Sequence, residues 1–283
     1  MEIVRRVHSM REIAQRARSR GLKLGLVPTM GCLHEGHLSL IRRLDELADV
    51  IVVSVFVNPT QFGPGEDYER YPRDLTRDAD LCIAEGVDYL FAPEAMEIYP
   101  PGPRTHVEVE QLSDWLEGAS RPGHFRGVAT VVLKLFNIVQ PTVAAFGQKD
   151  LQQAVILRRM VRDLMLDVEL LVLPIVRDDD GVALSSRNKH LGEDERAAAR
   201  AIPRGLEAAE RLVAKGETDA AAILHTARET IESVEGLSID YLELVAPETL
   251  APISSLEGEG YLAVAVHCGT VRLLDNIALK PPV

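Results

Sequence analysis

Short apolar runs alternate with segments of helical periodicity over the first two thirds of the chain. The runs are continuous rather than alternating with polar residues, which predicts strands that are buried on both faces. They lie at residues 22–27, 50–57, 87–91, 142–146 and 167–176, and we expect Pro28 to end the first one. Helices are predicted at residues 9–20, 37–48, 75–85, 125–139 and 151–166, the first opening on the capping-box sequence Ser-Met-Arg-Glu. Strands separated by helices predict an α/β fold with a doubly wound parallel sheet.

The pattern changes after the acidic turn at residues 177–181. Residues 193–215 and 219–234 predict alanine-rich helices, and residues 239–245, 261–266 and 271–277 predict strands joined by short connections. We therefore predict two domains: a doubly wound α/β domain at residues 1–176 and a smaller α+β domain at residues 177–283.

Composition excludes several classes of protein. The chain of 283 residues has a net charge of −12, so neither nucleic acid nor an acidic membrane is expected as its main partner. Its three scattered cysteines form no disulfide framework, which indicates a reducing compartment. The first residues lack the apolar core of a signal peptide, and no run approaches the roughly 18 apolar residues of a membrane helix. We expect a cytoplasmic protein in which any anion site is a local pocket.

The segment at residues 28–37, Pro-Thr-Met-Gly-Cys-Leu-His-Glu-Gly-His, carries the strongest chemical signal. It places His34 and His37 in the first turn of a predicted helix, where free N–H groups and the helix dipole favour an anion. Three interpretations stay open at this point: a polar turn without chemistry, a zinc site, and a nucleotidyl-transfer site. A zinc motif of the form His-Glu-x-x-His spaces its histidines four residues apart, whereas these lie three apart, which disfavours zinc.

Two other predicted strand ends place polar side chains at the same edge of the sheet. Gln61 follows residues 50–57 and carries an amide that both donates and accepts, although a turn-stabilising role is equally ordinary. Lys149 lies at a helix start, where the dipole disfavours a cation unless an anion is shared. Gln153 lies one turn further along the same helix face, where an exposed glutamine is the plain alternative.

Nearby loops supply further candidates. Residues 185–187, Ser-Ser-Arg, combine two hydroxyl groups with a guanidinium, which suits phosphate oxygens but also suits a helix cap. His124 and Arg126 either contact a substrate or secure their loop, and the second role is favoured. Asp78 is the candidate magnesium ligand, in an acidic cluster whose alternative role is to start a helix.

With these segments assembled, the chain resembles the pantothenate synthetase family, ATP-dependent ligases that join pantoate to β-alanine. The resemblance covers nearly the whole length. It rests on the joint order and spacing of residues 28–37, 58–62, 124–128, 146–153 and 185–188. Two departures are mild, because neither Leu184, where many relatives have methionine, nor Cys32, at a variable position, removes a charge or a donor.

The resemblance implies a Rossmann domain of the nucleotidyltransferase superfamily that binds ATP and pantoate, with residues 177–283 as a lid. It implies His37 as the catalytic proton donor, with His34 and Lys149 as the other catalytic residues. Gln61 and Gln153 would bind pantoate. The implied ATP site comprises Met30, Gly31, Cys32, Leu33, His34, Glu35, Gly36, His37, Gly147, Gln148, Lys149, Asp150, Val176, Leu184, Ser185, Ser186 and Arg187.

The resemblance also implies Mg2+ as the companion of ATP, a pantoyl-adenylate intermediate, release of AMP and pyrophosphate, and a homodimer. Three alternatives stay open on the residues alone. Another adenylyl- or cytidylyltransferase would leave the nucleotide on its product, and a regulatory module would bind nucleotide without turnover. A tRNA-binding protein conflicts with the net charge of −12.

Overall fold

The computed structural model describes residues 1–66 and 68–282. The chain divides into two compact units. The first comprises Met1–Gly147 and Ile156–Pro174, and the second comprises Gln148–Val155 and Ile175–Val283. The second unit thus takes in residues 148–155, a segment that the predicted domain boundary after residue 176 assigns to the first domain.

The first unit contains a parallel sheet of six strands in the order β1-β4-β3-β2-β5-β6. Their bounds are β1 (Glu2–Val4), β2 (Leu24–Thr29), β3 (Val50–Val55), β4 (Tyr89–Phe91), β5 (Val143–Gly147) and β6 (Glu169–Leu173). The strand order reverses direction between β2 and β5, and such a switch point is where open α/β sheets bind ligands. The predicted α/β class with a doubly wound parallel sheet is confirmed.

Helices connect these strands. Their bounds are α1 (Val7–Ser19), α2 (Glu35–Asp45), α3 (Leu75–Ala84), α4 (Ala95–Ile98), α5 (Leu116–Ser120), α6 (His124–Val139) and α7 (Leu151–Asp163). The apolar stripe of α2 packs into a core with β2, β3 and β4 that includes Ile41 and Leu44, both fully buried. This packing fixes the start of α2, and with it the predicted histidines, against the carboxyl end of β2.

The prediction that Pro28 ends its strand is wrong, because Pro28 pairs with Ser54 inside β2. The carbonyl of Leu24 accepts from Thr142 on the β5 side, so Leu24, Leu26 and Pro28 direct their backbone groups toward β5. Pairing with β5 extends only to Leu26, so the missing N–H of Pro28 removes no ladder bond.

Smaller differences concern element ends. The first helix begins at Val7, with Arg6 as its N-cap, so the predicted capping box at Ser9 is wrong. The strand β1 was not predicted, because three residues give too short a pattern.

Besides the start of α7, the second unit contains helices and an antiparallel sheet in the order β7-β8-β9. Their bounds are α8 (Glu193–Ala199), α9 (Ala201–Val213), α10 (Ala220–Glu232), β7 (Leu237–Val245), β8 (Gly260–Cys268) and β9 (Val271–Leu279). The helices bury one face against the sheet, with Ile202, Ile223 and Val264 in a shared core. The predicted α+β character is confirmed, although the predicted helix at residues 193–215 divides at Arg200.

Within the part of the chain that the structure describes, no helix is both long enough and apolar enough to cross a membrane.

Candidate functional site

Residues 30–37, which we call the histidine loop, comprise the connection that follows β2, which contains a left-handed turn, and the first residues of α2. Gly31 has a φ of +84° and Cys32 a φ of 53°. A Cβ atom on Gly31 would lie 2.8 Å from a carboxylate oxygen of Asp78, so this position requires glycine on grounds of both space and backbone conformation.

The carboxylate of Asp78 fixes the backbone of the histidine loop by hydrogen bonds. Its two carboxylate oxygens accept the N–H groups of Cys32 at 2.8 Å and Leu33 at 2.7 Å, and its side chain is buried, with 1% of the residue exposed. The guanidinium of the neighbouring Arg77 donates to the carbonyl of Leu33 at 3.1 Å. The first turn of α3 therefore holds the backbone of the loop that carries His34 and His37.

The two histidines lie side by side at the start of α2. Their ring centroids are 4.0 Å apart, and the N–H of His34 donates to Nδ1 of His37 at 3.3 Å. Because Nδ1 of His37 is an acceptor, the neutral ring carries its proton on Nε2. This tautomer makes His37 a donor toward an anion at the helix start.

Glu35, in the same turn, would repel an anion if its charge were unopposed. It forms an ion pair with Arg42, which also pairs with Glu85. The hydrogen bond from Arg42 lowers the pKa of Glu35, so the carboxylate stays ionised and neutralised by its partner.

Gln61 lies in a 3-10 turn, Pro59–Gln61, that follows β3. Its amide oxygen accepts from Asn58 at 3.0 Å, and its amide nitrogen contacts the sulfur of Met30 at 3.2 Å. The structure therefore brings Gln61 to the first residue of the histidine loop. Gly127 permits this arrangement, because a Cβ atom there would lie 2.4 Å from the carbonyl oxygen of Thr60.

His124 secures the same turn. Its Nδ1 lies 2.8 Å from the carbonyl oxygen of Gln61, and its Nε2 lies 3.2 Å from a guanidinium nitrogen of Arg121. Arg121 is itself paired with Glu66 at 2.7 Å. Burial, reinforced by the charge of Arg121, lowers the pKa of His124 to about 4. Neutral His124 thus donates from Nδ1 and accepts at Nε2, which agrees with the loop-securing role favoured from the sequence.

Arg126, the other residue of that motif, is exposed near the start of α6. Its carbonyl accepts from the hydroxyl of Thr130 at 2.6 Å. A substrate contact for Arg126 stays open.

The second unit brings together Lys149 and Ser185. Lys149 lies in a 3-10 turn, Gln148–Asp150, which we call the lysine turn, directly before α7. The two residues line one small pocket with the buried carboxylate of Asp275 and with Val182 and Ala183. The hydroxyl of Ser185 accepts the N–H of Arg187 at 3.3 Å and so begins the 3-10 turn Ser186–His190.

The second unit also contains the predicted site residues Val176, Leu184 and Gln153. The N–H of Leu184 donates to the carbonyl of Val176 at 3.0 Å, so the two are adjacent. Gln153 is partly buried in the first turn of α7. The predicted site residues thus form two sets: His34, His37, Met30 and Gln61 belong to the first unit, and Lys149, Gln153, Val176 and 184–187 to the second.

The donor set does not fit a protein-bound magnesium ion at Asp78. Both of its oxygens already accept backbone N–H groups, and a hard cation would require them as ligands. No group of three His, Cys, Asp or Glu side chains suited to a metal occurs in residues 1–66 and 68–282. The magnesium role of Asp78 stays a prediction that its contacts do not favour.

Sequence reasoning missed the residues that hold these segments. Arg121 and Glu66 support the turn of Gln61, and Asp275 and Asn276 support the lysine turn. One signal was present: Asp275 and Asn276 are a polar pair with Leu273 and Leu274 before it and Ile277 and Ala278 after it, and both polar residues are 3% exposed. Buried polar residues require partners, so such a pair indicates a specific contact.

A parallel sheet with a switch point, followed there by a helix that starts with two histidines, is typical of nucleotide-binding α/β proteins. Comparison with known proteins specifies the class further. The family model for pantoate–β-alanine ligase matches residues 2–278. A pantothenate synthetase of Moorella thermoacetica is 50% identical over 280 residues, which cover 99% of each chain.

Comparison with solved structures points to the same family as the sequence comparisons. The pantothenate synthetase of Thermus thermophilus has a TM-score of 0.95 and 47% identity, covering 99% of this chain and 100% of its own. The pantoate–β-alanine ligase of Francisella tularensis, complexed with β-γ ATP and β-alanine, has a TM-score of 0.81 and 34% identity. The match covers 98% of this chain and 97% of the Francisella chain. The chain belongs to the pantoate–β-alanine ligase family, as the resemblance of its motifs predicted, and the family consists of enzymes.

Proposed function

We propose that the protein condenses (R)-pantoate with β-alanine to give pantothenate, using ATP and forming a pantoyl-adenylate intermediate. AMP and pyrophosphate are the other products. Family membership supports the overall reaction, and the related ligase complexed with β-γ ATP and β-alanine supports the co-substrates. The observation that carries the proposal is the pair of adjacent imidazoles at the start of α2, in which the N–H of His34 donates to Nδ1 of His37.

In the first step a carboxylate oxygen of pantoate attacks the α-phosphorus of ATP. The bond from the α-phosphorus to the bridging oxygen breaks, and pyrophosphate leaves with that electron pair. Negative charge grows on the phosphate oxygens, and we assign His34, His37 and the positive dipole end of α2 to its stabilisation. Gln61 and Gln153 are proposed to hold pantoate.

We assign the departing pyrophosphate to Lys149, Ser185, Ser186 and Arg187. An ammonium at a helix start is disfavoured by the dipole, and a bound anion removes that conflict. The pocket shared by Lys149 and Ser185 supports this role. The remaining backbone of residues 30–37, 147–150, 176 and 184–187 is proposed to complete the ATP site.

In the second step the amine of β-alanine attacks the acyl carbon of the adenylate. The bond from that carbon to the phosphate oxygen breaks, AMP leaves, and the ammonium loses a proton. Activation is needed because a carboxylate oxygen is a poor leaving group. Mg2+ enters as part of the ATP substrate, and no step is derived from a protein-held ion.

Three further features are part of the proposal: a homodimer, a cytoplasmic location and a lid role for residues 177–283. The first is measured by analytical ultracentrifugation of the purified chain, where a single species of twice the chain mass of 31.1 kDa is expected.

A coupled assay for AMP tests the function. With ATP and pantoate we expect at most one equivalent of AMP per enzyme, and addition of β-alanine should start continuous release. Another nucleotidyltransferase would retain the nucleotide on its product and release no AMP. Steady AMP release without β-alanine, or none with all three substrates, would overturn the proposal.

A further inference from the structure

We propose that Asp275 and Asn276 on β9 are positioning residues that hold the two anion-binding segments of the second unit, the lysine turn and residues 185–187, in their working geometry. This inference rests on the proposed function, because it assigns a supporting role to residues around Lys149. It extends that function by naming a second layer of residues on which pyrophosphate departure depends.

Asn276 holds the lysine turn with its whole amide. Its Nδ2 donates to the carbonyl oxygens of Gln148 at 3.0 Å and Lys149 at 3.1 Å. Its Oδ1 accepts from the side-chain amide of Gln148 at 3.1 Å. Both N–H groups and the oxygen are used, and Asn276 is 3% exposed. An amide this completely engaged fixes the backbone from which the Lys149 side chain projects.

Asp275 holds the other segment through Arg177. Its carboxylate accepts two hydrogen bonds from the guanidinium, at 2.6 and 2.9 Å, and one from the N–H of Asn276 at 2.8 Å. Arg177 also donates to the carbonyl of Gly181 at 3.0 Å and forms a backbone bridge with Ala183. The pair therefore fixes the short hairpin that leads directly into Ser185.

The charges of Asp275, Arg177 and Lys149 are consistent with a positioning role for Asp275. Burial raises the pKa of Asp275, and the guanidinium of Arg177 opposes that rise. Asp275 also lines the pocket of Lys149 and interacts with its charge. Because Arg177 takes both carboxylate oxygens, Asp275 does not need the ammonium as a hydrogen-bond partner. The Lys149 ammonium, which has no hydrogen bond within residues 1–66 and 68–282, is then available to an anion.

Adjacent positions on β9 thus act on two separated segments of the chain. A strand presents successive side chains to opposite faces, so Asp275 and Asn276 reach different neighbours. The conventional alternative is that this polar network only stabilises the fold. A double-mutant cycle separates the two interpretations, because a positioning residue acts only while its functional partner is present.

The experiment measures pantoate-dependent exchange of labelled pyrophosphate into ATP for the wild type, Asn276→Ala, Lys149→Ala and the double variant. We expect Asn276→Ala to lower the maximal exchange rate by about 10- to 100-fold, because small displacements of a charged group at the reacting centre have effects of that size. In the Lys149→Ala background the same change should lower the rate less than about twofold.

Asn276→Asp and Val264→Ala are the companion variants. Asn276→Asp keeps the volume and the acceptor but loses both donors, so it should resemble Asn276→Ala, and it serves if the alanine variant does not fold. Val264→Ala removes core volume from β8, where Val264 is 1% exposed. It should lower thermal stability without lowering the exchange rate of the folded enzyme.

Equal losses from Asn276→Ala with and without Lys149 would overturn the positioning role and leave the proposed function intact. So would a wild-type exchange rate in both Asn276 variants. Failure of the proposed function itself is distinct, because the wild-type enzyme would then release no AMP in response to β-alanine.

Discussion

The histidine loop and the lysine turn both lead into a helix, but they are fixed by opposite hydrogen-bond chemistry. In the histidine loop the buried carboxylate of Asp78 accepts the N–H groups of Cys32 and Leu33. In the lysine turn a buried amide, that of Asn276, donates to two carbonyl oxygens. A side-chain acceptor thus holds the histidine loop, and a side-chain donor holds the lysine turn.

The difference follows from what each segment offers an anion. The histidine loop commits two N–H groups to Asp78, so its further donors are the imidazoles and the first turn of α2. The lysine turn has carbonyl oxygens that would repel phosphate, and Asn276 occupies two of them. Under the proposed function, side chains carry the charge recognition in both segments. Buried residues fix the backbone that supports them.

The largest expected effect comes from His37→Ala. Loss of a donor that acts on charge developing in the transition state should lower kcat by about 10²- to 10³-fold, with ATP affinity close to that of the wild type. Stopped-flow or steady-state AMP release gives kcat, and calorimetry gives the ATP affinity. His8→Ala is the control, because the His8 side chain is 84% exposed in α1. An unchanged kcat in His37→Ala would remove this residue from the mechanism.

His124 lies in the same unit as His37, but its predicted effect is on stability, because it holds the turn Pro59–Gln61. Its pKa in the fold is about 4, below the ordinary value of 6.5, so the unfolded chain binds a proton more readily between these values. Stability is therefore full above pH 6.5 and falls as the pH drops toward 4, by about 3 kcal/mol at most.

Denaturant unfolding of the wild type and His124→Gln across this pH range measures the effect. The difference between the two free energies of unfolding should shrink as the pH falls. A difference that stays constant from pH 7.5 to pH 4 would show that His124 is not held neutral.

Asp78→Asn replaces one acceptor of the histidine loop by a donor. It leaves one N–H of Cys32 or Leu33 without a partner, so we expect about 2 kcal/mol lower stability and a reduced kcat. Activity measured against Mg2+ concentration decides between loop support and metal binding. Support of the loop predicts an unchanged Mg2+ requirement, and a strongly raised requirement would restore Asp78 as a ligand. Asp80→Asn, on the exposed side of α3, is the control.

The smallest expected effects come from Gln61→Ala and Gln153→Ala. Each should weaken pantoate binding by about tenfold, the size of one hydrogen bond to a charged group, while ATP affinity is kept. Titration of pantoate by calorimetry measures this, with Gln140→Ala as the control. Wild-type pantoate affinity in both variants would remove the assignment.

The sequence predicted what depends on local pattern. Continuous apolar runs located the central strands, and the motif at residues 28–37 located the histidine loop. Pro28 was misjudged because its backbone faces a side of β2 that has no partner beyond Leu26, which only the register shows.

Contacts between distant residues were beyond sequence reasoning. Asp78 approaches Cys32 across 46 positions, and Asn276 approaches Gln148 across 128. The sequence marked Asp78 as acidic and therefore as a metal candidate, whereas the fold turns it toward backbone N–H groups. The burial of Asn276 and its use of the whole amide depend on packing that no local pattern encodes.

Exchange of labelled pyrophosphate into ATP tests the central claim most directly, because it reports the first half-reaction alone. We predict exchange that requires pantoate, proceeds without β-alanine, and is strongly reduced in both His37→Ala and Lys149→Ala. Exchange that occurs without pantoate, or wild-type enzyme that makes AMP with all three substrates but shows no exchange, would contradict the adenylate mechanism.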